Sequence, residues 1–240
     1  MKYPNLPSKL NKYIGRAMGD WQMLDDGDRV LIGVSGGIDS LATAWVLQMW
    51  RDKAPISYEI EAVHVDDGFW SPDKGGQPPV DIIAEQMQRF QIPFSSVKGW
   101  EIEGKRTCFM CARNRRSQLF DLARQKSCAK LALGHHKDDL VETFLINALY
   151  SGNISTMLPK QQLFEGRLSL IRIFAYLEKD DIWTIADCAG LEPVANFCPV
   201  GDDSRRETVR ALLDKIYADI PGSKGSLFSA LGNVREGYML

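Results

Sequence analysis

Residues 30–40 read Val30-Leu31-Ile32-Gly33-Val34-Ser35-Gly36-Gly37-Ile38-Asp39-Ser40, and a helical pattern follows at once. A short apolar run bounded by glycine predicts a buried parallel strand, and a glycine loop between strand and helix predicts an anion cradle. Backbone N–H groups at Gly36 and Gly37, the hydroxyls of Ser35 and Ser40 and the positive end of the helix dipole would converge on one phosphate. The loop lacks the Gly-Lys-Ser/Thr ending of a Walker A motif and the spacing of a dinucleotide fingerprint, which disfavours γ-phosphoryl transfer and NAD binding.

Working outward, Leu10, Ile14, Ala17, Met18 and Trp21 recur at helical spacing, and predict an N-terminal helix over 8–24. Further strands are expected at Tyr58–Val65, Ile92–Val97, Lys130–Gly134 and Leu168–Phe174, and helices at Val80–Gln91, Asn114–Lys126, Leu140–Tyr150 and Asp180–Ala189. Strands alternating with helices imply βαβ units. The expected fold class is therefore α/β, a doubly wound, mostly parallel sheet of about five strands, with helical additions at both ends. The chain is read as a single domain over 1–240 whose C-terminal region, 203–240, is helical. Ligands on such sheets bind beyond the carboxyl ends of strands, where the glycine loop and the segment Gly134-His135-His136-Lys137-Asp138-Asp139 both fall.

The 240 residues carry 29 Lys and Arg against 31 Asp and Glu, a net charge of −2, with 45% hydrophobic and 25% charged residues. That balance excludes a surface that grips nucleic acid everywhere, but leaves room for local basic patches. Arg113, Arg115 and Arg116 form one such cluster, and Arg205 with Arg206 another. No apolar run approaches the ~20 residues of a membrane span. The N-terminal residues show no signal-peptide pattern, so a cytoplasmic location is expected. Five cysteines then argue against a disulfide framework and for metal or redox chemistry. Cys108 and Cys111 form a C-x-x-C that fits half a zinc site, a thioredoxin-type pair or part of an iron–sulfur site. There is no second pair for a four-cysteine zinc ribbon. Cys128 and Cys188 read as small core residues. Cys198 stands before Pro199 in a loop-like stretch, where packing gives a thiol little purpose.

Ser35-Gly36-Gly37-Ile38-Asp39-Ser40 resembles the PP-loop of the N-type ATP pyrophosphatases. Together with Cys108, Cys111, Arg113, Arg115, Arg116, Gly134–Asp139 and Cys198 it resembles the tRNA 2-thiocytidine synthetase family over nearly the whole chain. The resemblance implies an ATP-dependent tRNA sulfurtransferase. Such an enzyme adenylates the 2-carbonyl oxygen of a cytidine, releases pyrophosphate and replaces the oxygen with sulfur. It implies ATP, Mg²⁺ and a [4Fe-4S] cluster held by Cys108, Cys111 and Cys198, with catalytic roles for Asp39, Asp139 and the three cysteines. Zinc or a persulfide on one cysteine are the competing uses of the thiols.

Ser35, Gly36, Gly37, Asp39, Ser40, His64, Val65, Gly134, His135 and Asp139 become the expected nucleotide site, with Asp39, Asp138 and Asp139 as Mg²⁺ candidates. Asp139 with Glu142 also fits a capping box opening a helix. Phe69, Trp70 and Phe109 are candidates to stack on a base, with loop anchoring as their plain alternative. The two arginine clusters are candidate RNA contacts. Expected partners are tRNA, a cysteine desulfurase or other sulfide source, and a second copy of the chain. The chain departs from the family at Ile38, where relatives usually carry Lys, and at Ile173 and Phe174, where they more often read Pro-Leu. A PP-loop sulfurtransferase or ligase acting on another tRNA base or a small metabolite, and a non-catalytic nucleotide or iron–sulfur module, are the rival readings.

Overall fold

The computed structural model describes residues 4–104, 106–199, 204–235 and 237. Part of the expected C-terminal helical region, at 203, 236 and 238–240, lies outside the described residues. The chain divides into two compact units, Met1–His136 with Pro159–Gly201, and Lys137–Leu158 with Asp202–Leu240.

The first unit holds a six-stranded sheet. Its strands are β1 (Asp28–Gly33), β2 (Tyr58–Asp66), β3 (Phe94–Lys98), β4 (Lys130–Ala132), β5 (Lys160–Leu163) and β6 (Leu168–Ile171), in the order β3-β2-β1-β4-β6-β5. All pairings are parallel except β5 with β6. The α/β reading and its parallel sheet therefore hold, with β5 the strand that sequence reading does not find. Lys160-Gln161-Gln162-Leu163 has no β-branched residue and no fully buried position, so it carries neither strand signal. It forms as an edge strand on β6.

Val30, Leu31 and Ile32 are essentially without solvent contact, as expected for a strand covered on both faces. Around them pack α1 (Ser8–Asp20), α2 (Ile38–Arg51), α3 (Pro79–Arg89), α4 (Cys108–Gln125) and α6 (Lys179–Ala189). The N-terminal helix stops at Asp20, short of the expected 24, and Met23 continues inward as a buried loop residue. Helix α2 is buried on nearly every side, from Ile38 to Met49. Its Trp45 meets Phe90 edge-on at 6.4 Å, and each such large side chain contributes about 1.5–3 kcal/mol by leaving water. At the opposite end of the sheet Lys130 is buried and held 3.0 Å from Asp25 and 3.5 Å from Asp28.

The second unit contains α5 (Lys137–Ser151), α7 (Ser204–Asp219) and α8 (Ser223–Ala230). Val141, Val209 and Leu213 form its core. Among the described residues no helix is long and apolar enough to cross a membrane.

Candidate functional site

The strand order reverses between β1 and β4: β2 and β3 lie on one side of them, β6 and β5 on the other. That switch point is where open α/β sheets bind ligands. The glycine loop leaves β1 there, and Gly134-His135-His136 leaves β4 beside it.

The loop is built from its own short side chains. The Ser35 amide donates to Ser40 Oγ at 3.1 Å, Ser40 Oγ donates to the Gly37 carbonyl at 2.8 Å, and the two hydroxyls stand 3.3 Å apart. The amides of Ser40 and Leu41 both take the Gly37 carbonyl. The amides of Ile38 and Asp39 precede them in the first turn, where a helix provides no acceptor four residues back. Gly36 sits at φ +88°, and a Cβ there would lie 3.1 Å from Val194 and 3.2 Å from Ile83. Only glycine satisfies both demands.

Gly134 is required for a different reason. A Cβ on it would come within 2.7 Å of the carbonyl carbon and oxygen of Asp39 and 2.8 Å of the Ser40 nitrogen. The exit of β4 thus presses backbone against backbone at the start of α2. This contact gives Gly134 a positioning role behind the loop.

His64 is buried near the end of β2, and its Nδ1 donates to the Val34 carbonyl at 2.8 Å. A carbonyl only accepts, so the proton is on Nδ1, and the ring fixes the entry to the loop. Val65 is buried in the same strand. His135 accepts at Nδ1 from Arg172 Nε at 3.2 Å, and Arg172 is itself buried.

Asp39 follows Ile38 in the first turn of α2, where a carboxylate suits the helix dipole. Its Oδ1 is 2.5 Å from Lys179 Nζ and 3.9 Å from His136 Nε2. Lys179 is the residue of this site that the sequence reading does not find. Ile38, the apolar residue of the loop, is buried in the core.

The other expected Mg²⁺ ligands, Asp138 and Asp139, belong to the second unit. There Asp138 pairs with Lys224 at 2.6 Å and Asp139 with Arg206 at 3.5 Å. The capping box expected from Asp139 and Glu142 does not form. Helix α5 already begins at Lys137, so Asp139 is inside the first turn. The buried Glu142 carboxylate is taken by Arg206 at 3.2 Å and Arg210 at 2.8 Å.

Cys108 and Cys111 occupy the first turn of α4, whose N-cap Thr107 accepts from the Met110 amide. Cys198 lies in the loop after Phe197, its amide donating to Asn196 Oδ1 at 3.0 Å. That loop is tied to the glycine loop, because the Val194 amide donates to the Gly36 carbonyl at 2.9 Å. All five cysteines are free thiols. The donor set suits an iron–sulfur cluster: three soft ligands, two of them one turn apart at the start of α4. Among the described residues, however, no group of three or more His, Cys, Asp or Glu stands close enough to hold a metal ion. Cys128 is buried, and burial pushes its thiol pKa up, in keeping with a packing role.

Arg113 and Arg116 are exposed, whereas Arg115 is partly covered and hydrogen-bonded to Asp67. Arg205 lies over the Tyr150 ring at 5.2 Å, and Arg206 serves Asp139 and Glu142. Trp70 anchors its own loop through the Gly75 carbonyl, Arg106 covers Phe69, and Phe109 is 71% exposed.

The PP-loop domain family matches residues 5–215. Over 246 residues the chain is 36% identical to a tRNA-cytidine(32) 2-sulfurtransferase of Anaeromyxobacter sp. (strain Fw109-5), covering 98% of this chain and 78% of the relative. Over 243 residues it is 37% identical to the one of Syntrophotalea carbinolica, covering 97% and 91%. The chain belongs to the tRNA-cytidine(32) 2-sulfurtransferase family of PP-loop proteins. The solved U34-tRNA thiolase NcsA from Methanococcus maripaludis, which has a [4Fe-4S] cluster, shares the fold. Its TM-score is 0.77 at 22% identity over 94% of this chain and 80% of that one.

The family is one of ATP-using PP-loop enzymes. Ile173 and Phe174 are both fully buried. Phe174 also bridges His136 in parallel, so these apolar residues serve the same sheet end that carries the PP-loop.

Proposed function

We propose that this chain is an ATP-dependent tRNA sulfurtransferase that activates the 2-carbonyl oxygen of a cytidine as an adenylate and exchanges it for sulfur. The observation that carries this reading is the tether between Val194 and Gly36, which fastens the segment bearing Cys198 to the loop that binds ATP. The loop read as ATP-cleaving and the segment that carries the candidate sulfur-handling thiol are thereby linked by a backbone hydrogen bond four residues before Cys198. The curated relatives support tRNA as the substrate.

The base oxygen attacks the α-phosphate and pyrophosphate leaves with the P–O bonding pair. The PP-loop amides and the two serine hydroxyls stabilise the departing charge, the electrostatic term that usually dominates such chemistry. Asp39 holds Mg²⁺ in this reading, Gly134 and His64 fix the loop, and His135 lies at its edge. A sulfide then adds at C2 and AMP leaves, taking the original oxygen with it. Cys108, Cys111 and Cys198 would hold a [4Fe-4S] cluster. When bound it would offer an iron without a protein thiolate, a position at which sulfide can be carried. Arg113 and Arg116, exposed beside the cysteine pair, are the proposed tRNA contacts, with Arg115 and Arg205 as secondary ones. A cysteine desulfurase or another sulfide source, a second copy of the chain and a cytoplasmic setting complete the proposal, and residues 1–240 act as one catalytic domain.

The test is incubation of anaerobically loaded protein with ATP, Mg²⁺, sulfide and tRNA, followed by nucleoside mass spectrometry. Matching yields of AMP and 2-thiocytidine are expected. AMP without a modified base would point to another acceptor, and no AMP would overturn the enzymatic reading.

A further inference from the structure

The PP-loop has one ionisable side chain between Ser35 and Ser40, and it is an anion, Asp39. A triphosphate arriving there meets a carboxylate before it meets any cation of the loop. Ile38 cannot supply one, being apolar and buried in the core. The cation at this place comes from another element. Lys179, the first residue of α6, brings its ammonium to 2.5 Å from Asp39 Oδ1 while its side chain stays 39% exposed.

The placement runs against the local preferences of the helix. Glu178 caps α6 in a capping box with Asp181, and Asp180 adds to the acidic first turn. Acidic groups suit that end of a helix and an ammonium does not. A residue that breaks a local rule amid neighbours that obey it marks a functional demand. Lysine also suits an exchange of partners, being a compact charge with three donors on a flexible stem.

We propose that Lys179 is an ATP-phosphate ligand of the PP-loop. Its ammonium leaves Asp39 for the phosphate tail when Mg–ATP binds, and Asp39 turns to the metal. The inference rests on the reading of the loop as an ATP site. In the free protein the ion pair holds both groups in place. In the bound protein each finds a partner of opposite charge, so no charge is stranded.

Calorimetric titration tests this with the cluster-free chain, Mg²⁺ and either α,β-methylene-ATP or AMP. Lys179→Met and Lys179→Gln should weaken the ATP analogue about tenfold or more, the loss expected for a charge-assisted hydrogen bond. They should leave AMP affinity unchanged, and Lys179→Arg should retain most of the analogue's affinity. Thermal melts on each variant confirm that it folds. Analogue binding at the wild-type level in both neutral variants would overturn the proposal. So would equal losses for analogue and AMP, which describe a purely structural lysine. A wild-type chain that binds neither ligand would instead overturn the ATP reading beneath it.

Discussion

The Val194 amide donates to the Gly36 carbonyl across 2.9 Å, and this one bond joins the PP-loop to the segment that carries Cys198. Gly36 can accept it because its φ of +88° turns the peptide toward Val194 and because no side chain stands between them. Gly36→Ala should therefore cost about 2 kcal/mol, from left-handed strain and from overlap with Val194 and Ile83. Urea denaturation measures that loss, and AMP formation should fall with it.

Gly134→Ala attacks the same loop from behind. Its Cβ would meet the backbone of Asp39 and Ser40, which cannot rotate away as a side chain can. We expect a loss of about 1–3 kcal/mol and a drop in affinity for α,β-methylene-ATP. An unaltered titration would show that the start of α2 tolerates displacement.

The cysteines should separate by role. Cys198→Ser is expected to lower the iron retained after anaerobic loading and to abolish base thiolation. Cys128→Ala should leave iron content unchanged and cost about 1 kcal/mol by emptying a buried site. Iron assay and thermal melting on the two variants distinguish the outcomes.

At the far end of the sheet, the Lys130 ammonium holds the Asp25 carboxyl below its usual value of 3.8 through a hydrogen bond and its charge. A carboxyl depressed in the folded state contributes stability above its unfolded pKa, and loses it as pH falls through the lower folded value. Melting temperature should therefore drop more steeply below about pH 4 in the wild type than in Lys130→Met. Parallel profiles would remove the pair from the acid response.

The arginines divide in the same manner. Arg113→Ala and Arg116→Ala should weaken tRNA binding and reduce its salt slope by about one each. Arg206→Ala should instead destabilise the chain by about 1 kcal/mol or more, since Glu142 is buried and would lose one of its two cations.

The features legible in the sequence are those whose cause is local. Val30 to Ser40 announces strand, turn and helix because burial, glycine and periodicity all act within eleven residues. Strand β5 is silent because its stability comes from pairing with β6 rather than from its own side chains. The expected Asp139–Glu142 box is a sound local pattern, but α5 begins at Lys137 and the Glu142 carboxylate goes to Arg206 and Arg210 on α7, which a spacing rule does not see. Lys179 was hidden for the same reason, its contact with Asp39 spanning 140 residues. A basic residue at the start of an otherwise acidic helix turn was the available signal. The three-cysteine grouping is read from residue types and resemblance, while the structure supplies only the pair on α4 and the tethered loop.

Gly134 and Lys179 both act on Asp39 from far downstream of the PP-loop. During synthesis the loop leaves the ribosome long before β4 or α6 exists, so a partial chain carries the phosphate cradle without its backing or its cation. Completion of the cradle thus depends on chain that lies up to 140 residues beyond the loop itself.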